Sequence, residues 1–190
     1  MIYSTYGFSK GKTTSAIGTT IRALANKEKV LFAQFLKSPE DNGIQFLDRV
    51  CNRLDWLTQG TEGFKKEDGN SFAEGIFQEV LNGDYSLVVL DEVLVALDNN
   101  LLSKELFYDI VTLCKSNSID LYLTGRINNG RLRHEIEELS DIATDMRCDR
   151  HCYDKLCETC NRSYPFYFHY CPSCGRELPH SQPAKKGREY

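Results

Sequence analysis

Several features of other protein classes are absent from this sequence. No apolar run approaches the roughly 18 residues needed to cross a bilayer, and the N-terminus enters a strand-like segment, Ile2 to Tyr6, with neither a basic start nor a cleavage site. A cytoplasmic protein is therefore expected. Gly (13) and Pro (5) are too few for a fibrous or disordered chain, and no internal repeat is found. Basic residues (23) are outnumbered by acidic ones (27), and a net charge of -4 leaves no long-range positive field to collect nucleic acid, so a nucleic-acid partner is not expected. Only Cys51 and Cys114 lie in the body of the chain; the other six of eight cysteines crowd into residues 148–174, which in a reducing compartment favours thiolate–metal bonds over disulfides.

What is present is an alternation. At 190 residues, with 41% hydrophobic and 26% charged, the chain has room for one well-buried core and a small appendage. Ile2–Tyr6 reads as a strand, residues 7–12 as a turn, and Ile17, Ile21 and Leu24 mark a helix from Thr13 to about Asn26. Val30 to Leu36 is a nearly continuous apolar run stopped by Pro39, as expected of a strand covered on both faces. A helix over 42–50, a strand over 54–57, a polar loop over 65–70 and a helix over 72–81 follow. Ser86 to Leu90 is a second apolar strand running into Asp91-Glu92; a helix carrying Leu102, Leu106, Ile110 and Leu113, a strand over 119–123, a helix over 131–139 and a strand over 142–146 complete the series. The expected fold is α/β, a doubly wound, mostly parallel sheet of the phosphate-loop type, with ligands outside the carboxyl ends of its strands. The expected domains are a nucleotide-binding domain over 1–147, a zinc-ribbon insertion over 148–180 and a tail over 181–190.

Gly7-Phe8-Ser9-Lys10-Gly11-Lys12-Thr13-Thr14 follows a strand and opens a helix, the context a phosphate-binding loop requires. Gly11 lets backbone approach an anion, the first helical N–H groups point at it, Lys12 supplies charge and the Thr13 hydroxyl can reach Mg²⁺. The common pattern wants glycine where Tyr6 stands, so the loop is one residue short. Asp91 and Glu92, at the end of a hydrophobic strand, are the candidate acidic partners of Mg²⁺, Glu92 with Lys12 being the candidate catalytic pair.

These residues resemble the ATP:corrinoid adenosyltransferases. That family's strand, GNGKGKTT loop, helix with an Arg-Ala pair and strand ending QFLKG are similar to Gly7–Thr14, Arg22-Ala23 and Gln34-Phe35-Leu36-Lys37. The likeness continues through Leu90–Asp98, Leu123–Arg126, Ser140–Met146 and Arg150-His151 to a closing Lys185-Lys186-Gly187-Arg188-Glu189-Tyr190. It implies transfer of the 5′-deoxyadenosyl group of ATP to a reduced corrinoid cobalt with triphosphate leaving, no general base, a corrinoid reductase as partner and a homodimer. It also implies that ATP is held by Gly7, Phe8, Ser9, Lys10, Gly11, Lys12, Thr13, Thr14, Arg22 and Arg126, and that Phe64, or Phe72 in its place, meets the corrin. The family's second loop glycine is Ser9 here, and no Trp follows Gly63-Phe64-Lys65.

Cys157-Glu-Thr-Cys160 and Cys171-Pro-Ser-Cys174 are two CxxC knuckles separated by ten residues, Ser163 to Tyr170 between them reading as a hairpin. Four thiolates so spaced make a structural Zn²⁺ site, and a segment this short has too small a core to fold without one; iron or a redox pair are the other readings. Cys148 and Cys152 read as spare thiols, and His151 and His169 as structural. The ribbon's role is open: it braces the tail, closes over the corrin or docks a partner. Two other functions are compatible with these motifs, a thymidine-kinase-like nucleoside kinase and a non-catalytic ATP- and zinc-binding regulator.

Overall fold

The computed structural model describes residues 1–38, 42–60, 65–147, 155–160, 162–164 and 169–178. Phe64, Gly63, Cys148, Cys152, Arg150-His151 and the tail over 181–190 lie outside them. The chain separates into two compact units, Met1–Met146 and Arg147–Tyr190.

The first unit is a six-stranded, all-parallel sheet. Its strands are β1 (Ile2–Tyr6), β2 (Val30–Gln34), β3 (Leu54–Thr58), β4 (Leu87–Asp91), β5 (Asp120–Gly125) and β6 (Ile142–Asp145), in spatial order β3-β2-β4-β5-β1-β6. Every residue of β2 and β4 is buried, which is why both read as unbroken apolar runs: each has helices over both of its faces. On one face, α1 (Lys12–Ala25) and α2 (Asn42–Val50) cover Phe32, Val89 and Tyr122 through Ala16, Ala23 and Ile44. On the other, α3 (Lys66–Asn82), α4 (Val93–Asp98), α5 (Lys104–Ser116) and α6 (Gly130–Leu139) bury Leu31, Ala33, Val88, Leu90, Leu121 and Leu123. Truncating a side chain as fully enclosed as Phe32 typically costs about 3–5 kcal/mol. No described helix is long and apolar enough to cross a membrane.

The topology reverses at β1. The chain leaves β1, crosses beneath β5 and β4 in α1 to reach β2, and later returns to fill β4, β5 and β6. Strands leaving in opposite directions from one point open a crevice at their carboxyl ends, where side chains of the following loops meet.

Three local expectations are corrected. The stretch 65–70, expected as a loop from its polarity and glycine, opens α3: the Asp68 carboxylate accepts the Lys65 N–H at 2.9 Å, and Glu67 and Asp68 sit where the helix dipole favours acid. The expected strand to Leu36 stops at Gln34, Leu36 taking a left-handed φ of 55°. Finally, α4 fills part of the stretch after Asp91-Glu92; all but Val95 and Asp98 of its six residues are buried, so it carries no amphipathic stripe to betray it.

In the second unit the strands Lys155–Cys157 (β7) and Arg162–Tyr164 (β8) pair antiparallel across the first knuckle, and an isolated bridge joins Tyr170 and Glu177 across the second. Among the described residues the pairing flanks each knuckle; the hairpin expected over Ser163 to Tyr170 falls largely on residues 165–168, which lie outside the described set.

Candidate functional site

The strand ends supply the site. Gly7 leaves β1 with φ 114°, a conformation open to glycine, and a Cβ there would lie 2.5 Å from the Met146 carbonyl oxygen and 2.8 Å from Asp145 Oδ1. The loop is held against the end of β6 by the Ser9 N–H, which donates to the same Met146 carbonyl at 3.2 Å. Gly11, with φ 107°, stands at the N-cap of α1, so the first amides of that helix face out of the sheet. The start of α1 is fixed from below: the Tyr122 hydroxyl is 2.8 Å from both Thr5 Oγ1 and Ser15 Oγ, tying β5, β1 and α1 together.

Lys12 folds back into the loop, donating to the carbonyls of Gly7 at 2.9 Å and Ser9 at 2.7 Å. Burial lowers its pKa, opposed by the nearby carboxylates of Glu92 and Asp91 and reinforced by Arg126 and Lys37. The ammonium is thus held on carbonyl oxygens beside the N-terminus of α1, where the helix dipole favours an anion.

Asp91, fully buried, is the hub of the acidic side. Its Oδ1 accepts from the hydroxyls of Thr13 at 3.0 Å and Thr124 at 2.6 Å; its Oδ2 accepts from Gln34 Nε2 at 3.0 Å and pairs with Lys37 Nζ at 2.9 Å. The Gln34 amide is oriented by Trp56, whose indole N–H can only donate and does so to Gln34 Oε1 at 2.9 Å. Lys37 Nζ also donates to Thr13 Oγ1 at 2.8 Å. Glu92 adopts a left-handed φ of 61°, uncommon for a residue with a Cβ, and its N–H donates to Thr124 Oγ1 at 2.9 Å. Among the described residues the Glu92 carboxyl accepts no hydrogen bond. Burial raises its pKa, as does Asp91, against Lys37, Lys12 and Arg126.

At the mouth, the Arg126 guanidinium lies 5.0 Å from the centre of the half-exposed Phe8 ring. Lys10 and Thr14 are exposed beside it. The structure thus brings together Gly7 through Thr14, Asp91, Glu92 and Arg126. Arg22 is not among them: ten residues along α1 it lies about 15 Å from Lys12, exposed, with its charge felt at Tyr3 near the opposite end of β1. Phe64 lies outside the described residues. Lys37, Gln34 and Thr124 were not singled out by sequence as site residues, although the QFLK and LTGR segments that contain them were.

In the second unit, the Sγ atoms of Cys157, Cys160, Cys171 and Cys174 lie within 4.8 Å of one another. Cys157 and Cys174 are 3.7 Å apart, and Cys171 and Cys160 4.0 Å. A zinc–sulfur distance of about 2.3 Å gives a tetrahedron with edges of about 3.8 Å, so the set fits Zn²⁺ and is far too open for disulfides. The second knuckle closes through Gly175, with φ 71°, whose N–H donates to the Cys171 carbonyl at 2.8 Å. Cys157, Cys171 and Leu178 are the buried residues of this unit among those described. His169 is exposed and outside the thiol cluster.

The family model for ATP:corrinoid adenosyltransferase BtuR/CobO/CobP matches residues 1–161. The chain belongs to this family. Corrinoid adenosyltransferases from two strains of Escherichia coli are 25% identical to it over 161 residues, covering 78% of this chain and 76% of theirs. An uncharacterized protein of Nostoc sp. is 29% identical over 168 residues, covering 74% of this chain; the match spans only 42% of that relative's length. The adenosyltransferase match takes in the whole α/β unit and runs into the first CxxC knuckle.

Proposed function

We propose that the chain transfers the 5′-deoxyadenosyl group of ATP to the Co(I) centre of a corrinoid. The cobalt's electron pair forms the bond to C5′, the C5′–O bond breaks, and inorganic triphosphate leaves with that bond's electrons. What supports this reading in a member of the family is the convergence, at the end of β1 and β4, of a glycine-shaped amide cradle with Lys12, Thr13 and Asp91.

The leaving group carries about four negative charges, so its departure is a problem of neutralisation. In this reading the amides of residues 10–14, with Lys12 and Lys10, hold the triphosphate. The hydroxyl of Thr13 and the carboxylates of Asp91 and Glu92 are hard oxygen donors of the kind that suit Mg²⁺, and an ammonium already lies against two of them, so the position favours a cation. Mg²⁺ bound there would supply further positive charge to the leaving oxygen. Arg126 and Phe8, at the exposed rim, face whatever approaches from solvent, and Phe64 is assigned to the corrin face. Cobalt reduction falls to a separate reductase. Incubation with ATP, Mg²⁺ and chemically reduced cobalamin tests the reading: a product whose absorbance reverts under light supports it, whereas ADP formed with thymidine would favour a nucleoside kinase.

A further inference from the structure

The Lys37 ammonium sits 2.8 Å from Thr13 Oγ1 and 2.9 Å from Asp91 Oδ2, between the hydroxyl and the carboxylate assigned above to Mg²⁺. Only about a fifth of its side chain is exposed, and the carboxylate is wholly buried. Asp91 has its lone pairs filled by Thr13, Thr124, Gln34 and Lys37, so a second cation beside it must displace the first. Of these partners Lys37 is the one that carries a positive charge, so a metal beside the carboxylate replaces it charge for charge, and it stands after the end of β2 on a four-carbon stem.

We propose that Lys37 is a resident cation that holds the divalent-metal position until nucleotide arrives. The inference rests on the assignment of Thr13 and Asp91 to Mg²⁺. In the nucleotide-free protein the ammonium neutralises Asp91 and keeps bare metal out. When a metal–polyphosphate complex enters, the ammonium exchanges its carboxylate for phosphate oxygens, so the metal gains its place and the polyphosphate gains a cation in one step. The metal and the nucleotide therefore bind as a unit, not metal first.

The test is Mn²⁺ binding to the zinc-loaded full chain without nucleotide, read from the electron paramagnetic resonance of free Mn²⁺. Lys37→Gln is expected to bind one Mn²⁺ at least about tenfold more tightly than the unaltered protein, and the gain should vanish in Lys37→Gln/Thr13→Val. Equal affinity in the two proteins, or a gain that survives loss of Thr13, would overturn the proposal. Should Lys37→Gln not fold, the unaltered protein carrying isotope-labelled lysine decides. Its Lys37 side-chain resonance should be unmoved by Mg²⁺ alone and should shift with Mg²⁺ plus tripolyphosphate. A shift with Mg²⁺ alone, or none while the Lys12 resonance reports bound tripolyphosphate, would contradict it. Because the Mn²⁺ measurement uses neither ATP nor corrinoid, its result stands apart from that of the adenosyl-transfer assay.

Discussion

The Thr13 hydroxyl donates to Asp91 Oδ1 at 3.0 Å, joining the start of α1 to the end of β4 across 78 positions, although β4 and β1, the strand α1 follows, are not neighbours in the sheet. β5 separates β1 from β4, and the contact exists because α1 crosses beneath that strand and begins beside the end of β4. Thr13→Val removes the donor and leaves Asp91 with one partner fewer in a buried setting. Stability should fall by about 1–3 kcal/mol, measured by urea denaturation, and Mg²⁺-dependent ATP binding should weaken in calorimetry. A variant as stable as the parent would show that the bond contributes nothing.

Lys12 trades stability for anion binding. Its pKa is lowered by burial, so the contribution of this group to stability is complete only above the unfolded-state value of 10.5 and is lost as pH falls through the lower folded-state value. At neutral pH the charged form is a cost. Lys12→Met should therefore melt at or above the parent's temperature near pH 7 while losing about 100-fold or more in adenosyl transfer. Calorimetric melting and the cobalamin assay on one preparation check both halves; an active variant would contradict the assignment.

Glu92 gives the opposite pH signature. Its pKa is raised, so the folded state holds the proton more tightly than the unfolded state; the stabilisation is present below 4.5 and disappears as pH rises through the folded-state value. Glu92→Gln is insensitive to this. The melting temperature of the parent relative to Glu92→Gln should decline as pH rises above 4.5, and a constant difference would be inconsistent with the burial of the carboxyl.

Gly7 is the tightest backbone position in the loop. Gly7→Ala puts a methyl group 2.5 Å from a carbonyl oxygen that cannot retreat without shifting the end of β6, at a φ of 114° that alanine resists. Destabilisation of about 2 kcal/mol or more is expected in thermal melts, together with loss of ATP binding.

For the thiol cluster, one zinc per chain is expected by elemental analysis, falling to a small fraction in Cys157→Ser. The α/β unit has its own core, so its thermal transition should persist after chelation. Loss of that transition would mean that the metal supports more than the small unit.

How much of this was legible in the sequence depended on whether a feature is local. The apolar runs of β2 and β4, the glycine–lysine loop between a strand and a helix, and the two CxxC spacings are written in consecutive residues, and the structure has them where the sequence puts them. Lys37 was not legible as a site residue because its importance arises when the end of β2 is laid beside Asp91, a register set by the sheet. Thr124 is likewise a strand residue until β5 pairs with β4. Arg22 is the converse case: it lies within the matching segment, but the rise of α1 carries it away from the loop. The polar start of α3 looked like a loop because a capping box and a loop are built from the same residues.

The central claim is that the amide and ammonium cradle holds triphosphate as an intact leaving group. It is tested most directly by ³¹P resonance of the products formed from ATP, Mg²⁺ and cob(I)alamin. The account predicts one inorganic triphosphate for each adenosylated cobalt, and none when Lys12 is replaced by Met. Unconsumed ATP beside fully reduced cobalt, or ADP and orthophosphate in place of triphosphate, would contradict it.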